Sequence, residues 1–107
     1  RCVEIKTGKR LWETVQATFG KKDARPNNSG TCFLVKNGDK FFLFSETGHL
    51  IIAKLTPSGY EELSRAKILE PTNECFNRDV VWSHPAFADK CCFARNDKEI
   101  VCVSLGK

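Results

Sequence analysis

The chain has 107 residues, of which 41% are hydrophobic and 28% charged, a size and balance that fit one globular domain and leave no room for a second. Its net charge of +4 is spread over the sequence apart from Lys21-Lys22 and Arg25, so no stripe or cluster of the kind that marks a nucleic-acid partner is present. No apolar run approaches the roughly 18 residues of a membrane-spanning helix, and a chain that starts at Arg1 and contains no Met reads as starting inside a longer protein or after processing.

Taken in chain order, the hydrophobic period is two and not 3.6. Strands are expected over 2–5 and 9–14, then over 31–36, 40–45, 49–55 and 60–68, and finally over 80–87, 90–95 and 99–105. Phe41-Phe42-Leu43-Phe44, Leu50-Ile51-Ile52-Ala53 and Ile100-Val101-Cys102-Val103 are their densest cores. Turn chemistry separates them at Asn37-Gly38-Asp39, Glu46-Thr47-Gly48, Pro57-Ser58-Gly59 and Asn96-Asp97-Lys98. The stretch from Tyr60 to Leu69 contains good helix formers, but its place between turn signals assigns it to a strand. Gly20 to Gly30 and Glu70 to Asp79 read as long irregular loops, the first carrying an Asn27-Asn28-Ser29 glycosylation triplet.

An internal repeat organises these strands. Asp39-Lys40-Phe41-Phe42-Leu43-Phe44 aligns with Asp89-Lys90-Cys91-Cys92-Phe93-Ala94 at an offset of 50. Leu50-Ile51-Ile52-Ala53-Lys54-Leu55 aligns with Ile100-Val101-Cys102-Val103-Ser104-Leu105 at the same offset, and one further step back places Cys2-Val3-Glu4-Ile5 on Ile52-Ala53-Lys54-Leu55. A period of about 50 suits one four-stranded propeller blade. The expected fold is therefore all-β, made of antiparallel four-stranded propeller-type blades: residues 1–14 end a preceding blade, 30–69 form a complete blade, and 80–105 give three strands of a last one. A closed propeller needs about four blades. The partner implied is the remainder of a parent propeller or a self-associated oligomer, with no nucleic acid and no membrane span.

Residues 2–12 read Cys2-x-Glu4-x-x-Thr7-Gly8-x-x-x-Trp12 and resemble the tryptophan-docking motif of quinoprotein-type β-propellers, Ala-x-Asp-x-x-Thr-Gly-x-x-x-Trp. Thr7, Gly8 and Trp12 match it, while Cys2 and Glu4 depart from it. The stretch from Phe41 to Leu105 is similar to the C-terminal region of bacterial pyrroloquinoline-quinone-like propellers, through Leu50 to Leu55, Leu69 to Asn73, Val80 to Ala88 and Ala94 to Glu99. The resemblance implies a positive φ at Gly8, a turn hydrogen bond from Thr7, and a Trp12 ring set against the neighbouring blade. It also implies a periplasmic or exported bacterial protein.

The candidate chemistry is sparse. Cys91-Cys92 resembles the adjacent-cysteine ring that quinoprotein alcohol dehydrogenases place against their cofactor, yet successive residues of a strand face opposite ways. All six cysteines (Cys2, Cys32, Cys75, Cys91, Cys92 and Cys102) are expected as reduced, buried small hydrophobes. His84, on an expected inner strand, is a candidate ligand contact, whereas Ser83 and His84 face apart and form no nucleophile–base pair. His49, at a hairpin, is expected to be exposed. Asn96, Asp97 and Glu99 supply oxygens but read as a polar turn and not a calcium cage, and no metal or cofactor is expected. The function expected is a non-catalytic scaffold or binding module that recognises protein or ligand through blade loops. The alternative is part of a quinoprotein dehydrogenase whose pyrroloquinoline quinone sits mostly outside this segment.

Overall fold

The computed structural model describes residues 1–21 and 30–106; Lys22, Arg25 and the triplet Asn27-Asn28-Ser29 lie outside the described residues. The chain is mostly β, and every sheet is antiparallel. A hairpin of β1 (Cys2–Val3) and β2 (Arg10–Trp12) leads to a single helical turn, α1 (Gln16–Phe19), which ends on Gly20 at a φ of 72°. A four-stranded meander follows: β3 (Cys32–Asn37), β4 (Lys40–Ser45), β5 (His49–Thr56) and β6 (Gly59–Lys67). A second hairpin, β7 (Asn73–Cys75) with β8 (Arg78–Val80), precedes a three-stranded meander of β9 (Ala86–Ala88), β10 (Cys91–Arg95) and β11 (Ile100–Ser104). No helix among the described residues is long and apolar enough to cross a membrane.

The two meanders stack face to face. Phe44 and Leu50 of the larger sheet pack with Cys92 and Ala94 of the smaller one, joined by Phe33, Phe87, Val101 and Val103. Phe42 stacks on Phe87 with ring centroids 4.8 Å apart. Removing this surface from water is the main favourable contribution to holding the sheets together. The other face of the larger sheet buries Leu43, Ile51 and Ala53 against the N-terminal segment, where Ala17 joins them.

Strand register defines the repeat more closely than the letters do. Phe41 pairs with Ala53 and Leu43 with Ile51; Cys92 pairs with Val103 and Ala94 with Val101. In both sheets these residues face a part of the fold that lies earlier in the chain, the N-terminal segment for the larger sheet and the larger sheet itself for the smaller one. The offset is thus 51 from β4 to β10 and 50 from β5 to β11. The first hairpin turn agrees, with Asn37 opposite Lys40 and Ala88 opposite Cys91. This corrects the letter alignment: Cys92 takes the place of Phe41, and Cys91 that of Lys40. The N-terminal hairpin joins the pattern through a shared irregularity. Cys2 pairs with Trp12 and Val3 with Arg10, leaving Leu11 unpaired; Ile52 pairs with Ser64 and Ala53 with Glu62, leaving Leu63 unpaired. The same bulge therefore recurs at the step where Cys2 lies on Ile52.

Three expectations are corrected. The stretch 70–79 is not irregular, because β7 and β8 close a hairpin within it. A continuous strand over 80–87 does not form: Val80 belongs to β8, 81–85 carry no ladder, and β9 begins only after Pro85, which has no N–H to donate. Residues 13–21 contain a helical turn where only the end of a strand was expected.

Candidate binding site around Glu46

Glu46 opens the tight turn between β4 and β5, where Gly48 donates to the Ser45 carbonyl at 2.9 Å. Its carboxylate is buried, 2% exposed, and every oxygen has partners. Oε1 accepts from Arg78 Nε at 3.0 Å. Oε2 accepts from Arg78 Nη2 at 3.1 Å, Trp82 Nε1 at 2.9 Å and the Thr31 N–H at 3.2 Å. Its backbone is tied as well, donating to Thr31 O at 3.0 Å and accepting from Val81 N at 2.7 Å. Burial alone would raise this carboxyl, but the hydrogen bonds from Arg78, Trp82 and Thr31 outweigh it, so Glu46 titrates below the usual carboxylate range. At neutral pH it is a fixed anion joining the larger sheet to the segment after β8.

What Glu46 fixes on the surface is an aromatic and guanidinium patch. The Arg78 guanidinium lies 5.9 Å from the ring centroids of both Phe76 and Trp82, and those rings are 6.3 Å apart at 55°. Phe76 is 72% exposed and Trp82 39%. Phe76 and Asn77 occupy the β7–β8 turn at φ of 51° and 59°, a left-handed pair that suits Asn and costs a bulky side chain. Beside Trp82 opens a polar cleft of about 180 Å³, lined by Thr72, Asn73, Ser83, Asn96 and Asp97. Asn96 is held at its floor: its Nδ2 donates to Glu70 O, and its Oδ1 accepts from the N–H groups of Lys98 and Glu99, all at 2.9 Å. Asn96 thus forms a polar turn.

The residues singled out from the sequence fall in separate places. Gly8 has a φ of 71°, and the Thr7 hydroxyl donates to the Glu4 carboxylate while accepting from Lys9 N at 3.2 Å, so both shape the β1–β2 turn. Trp12 reaches across 44 residues: its indole N–H donates to the Thr56 carbonyl at 2.7 Å, fastening the first hairpin to the β5–β6 turn. Trp12→Phe keeps an aromatic side chain, smaller than the indole, and loses that bond. It should lower unfolding free energy by about 1 kcal/mol in urea titration, with no change in slope.

His84 rests on Phe33 at 4.8 Å, its Nδ1 donating to the Pro85 carbonyl at 2.7 Å. Cys91 and Cys92 project from opposite faces of β10 and share no site. All six cysteines are free thiols, but the expectation that they are buried holds only for Cys92; Cys102 is exposed and the other four are partly covered. Burial pushes the Cys32 thiol up to about 12 and raises that of Cys92. Cys91 is raised chiefly by its hydrogen bond with Cys102. These three are protonated near neutrality and are poor nucleophiles. His49 is half-buried and not exposed, its Nδ1 2.9 Å from the Thr47 hydroxyl, and burial lowers its pKa. Among the described residues no group of three or more His, Cys, Asp or Glu is placed to hold a metal ion.

Glu46 and its partners were not anticipated from the sequence, in which Glu46 is one polar residue of a turn. The hydrophobic Phe76 in an otherwise polar loop is the only local sign of the patch. Comparison with protein-family models, curated proteins and solved structures gives no match.

Proposed function

We propose that this chain is a non-catalytic binding scaffold built from propeller-type sheets, recognising its partner through the loop cluster of Phe76, Arg78 and Trp82. Two features support the propeller-type arrangement. The strand register repeats from sheet to sheet with equivalent faces directed back along the chain, and Trp12 docks on the next unit at Thr56. On this reading the blades are 1–14, 30–69 and 80–105, with most of the β7–β8 hairpin lying between the last two. Aromatic and Arg side chains are the groups most enriched in binding hot spots, and here a buried anion holds them in place before any partner arrives.

One observation carries the recognition reading: Phe76 occupies a left-handed turn position while 72% exposed. The fold gains little from that ring and bears a conformational cost for it. Phe76→Asn should therefore raise stability by about 0.5–1 kcal/mol in urea unfolding, since Asn adopts this conformation readily. A loss of stability would show that Phe76 is a packing residue, and the recognition reading would fall.

A further inference from the structure

The sheet edges of this molecule are not alike. On the outer strand β6, Glu61, Glu62, Arg65 and Lys67 and the unpaired Leu63 interrupt any regular partner. The opposite edge, β3, ends in the exposed Lys36 and Asn37. β9 is three residues long and follows Pro85. These are the features by which sheets avoid edge-to-edge pairing. β11 has none of them: Ile100-Val101-Cys102-Val103-Ser104 is continuous in register with β10 and carries no charge, proline, glycine or bulge. Among the described residues it is an outer strand of its sheet, with Ile100 73% exposed and Cys102 and Ser104 also exposed.

Two hydrogen bonds set which backbone groups are already used. Asn96 N donates to Glu99 O at 3.0 Å, and Leu105 N donates to Lys90 O at 2.8 Å. Residues 99 and 105 thus turn their polar groups toward β10, and by strand alternation 101 and 103 do the same. Ile100, Cys102 and Ser104 direct their N–H and C=O groups outward, and the middle one is the centre of the strand.

We propose that β11 is a self-association edge, where two copies pair antiparallel about a two-fold axis at Cys102 and join their three-stranded sheets into one of six strands. Cys102 would exchange both backbone bonds with the partner's Cys102. Ile100 would do so with the partner's Ser104, and Ser104 with the partner's Ile100. A second copy fits because the outward register is its own mirror about Cys102 and no like charges meet within the strand. On the inner face Val101 falls opposite the partner's Val103, a β-branched pair that suits a sheet. The pairing needs only the β9–β10–β11 sheet and does not depend on the propeller reading.

Light scattering over a concentration series should show a mass rising from 12.1 kDa to twice that and no further. Cys102→Pro removes an N–H that faces outward, so the β10 ladder stays intact; each dimer loses two donors, and its Kd should rise about thirtyfold. Cys102→Lys, which sets like charges face to face across the axis, should also weaken the dimer and decides the matter if the proline variant does not fold. In a Cys91→Ser background, which removes the thiol hydrogen-bonded to Cys102 within the chain, oxidised glutathione should link copies through Cys102, two thiols becoming one disulfide with release of two glutathione thiols, since hydrogen-bonded antiparallel partners lie about 5.5 Å apart at Cα. A wild-type monomer at every concentration, an open-ended series of masses, or a dimer that both variants leave unchanged would each overturn the proposal.

Discussion

Gly48→Ala should be among the most damaging single-methyl additions available to this protein, lowering unfolding free energy by about 4 kcal/mol. Gly48 sits at a φ of 82°, and a Cβ built there would overlap the carbonyl oxygen of Leu69. That carbonyl cannot move away cheaply. The Gly48 carbonyl accepts from Ile68 N at 2.9 Å and from Leu69 N at 3.3 Å, and the Leu69 side chain is buried in the core between the two meanders. The methyl therefore adds a backbone collision to the ordinary cost of a left-handed alanine. Gly8→Ala is the control. Gly8 has nearly the same φ, 71°, but open space around its Cβ position, so only the conformational cost of about 1 kcal/mol remains. Urea unfolding of both variants separates the two contributions. Equal losses would mean that the Gly48–Leu69 crossing is not a fixed contact.

The strands were legible where hydrophobicity and turn residues agree. Leu50 to Leu55 between Gly48 and Pro57, and Ile100 to Ser104 after Asn96-Asp97-Lys98, fell within a residue of their expected bounds. The phase of β4 was not legible. Phe41-Phe42-Leu43-Phe44 is apolar throughout because the larger sheet is covered on both faces, and such a run carries no period-two signal. An alignment by letters could slip there by one residue, and it did. The β7–β8 hairpin stayed hidden because Phe76 occupies the turn position where Asn or Gly would have announced it. The Glu46 site was out of reach for a different reason. What makes a turn glutamate into a buried anchor is Arg78 and Trp82, 32 and 36 residues away, and no local pattern encodes that meeting. Trp12 differs again: the resemblance implied a ring set against a neighbouring blade, and the structure gives its indole N–H a hydrogen bond to the Thr56 carbonyl.

Glu46→Gln should cost about 3 kcal/mol despite keeping the size and shape of the side chain. Among the described residues the carboxylate accepts from four donor groups, one on Oε1 and three on Oε2. An amide offers one accepting oxygen, and its NH₂ must then point at a donor, so a buried position loses bonds and gains a repulsion. It also breaks the ion pair that Glu46 makes with Arg78, and removing one member of a buried pair is costly. The pH dependence distinguishes this mechanism from simple loss of packing. Because the folded-state pKa of Glu46 is depressed, its contribution is present above the unfolded value of about 4.5 and is lost as pH falls through the folded one. Glu62, lowered chiefly by its hydrogen bond from Arg65, adds a contribution of the same sign. Stability measured from pH 7 to pH 3 should therefore fall on the acid side for the wild type. The gap between wild type and Glu46→Gln should narrow over the same range, since below it the wild-type carboxyl is itself neutral. Arg78→Met should behave alike, its deficit greatest at pH 7 and shrinking with acid. A gap that stays constant with pH would mean that Glu46 acts through shape alone, and that the charge pair with Arg78 does not hold the Phe76 and Trp82 patch in place.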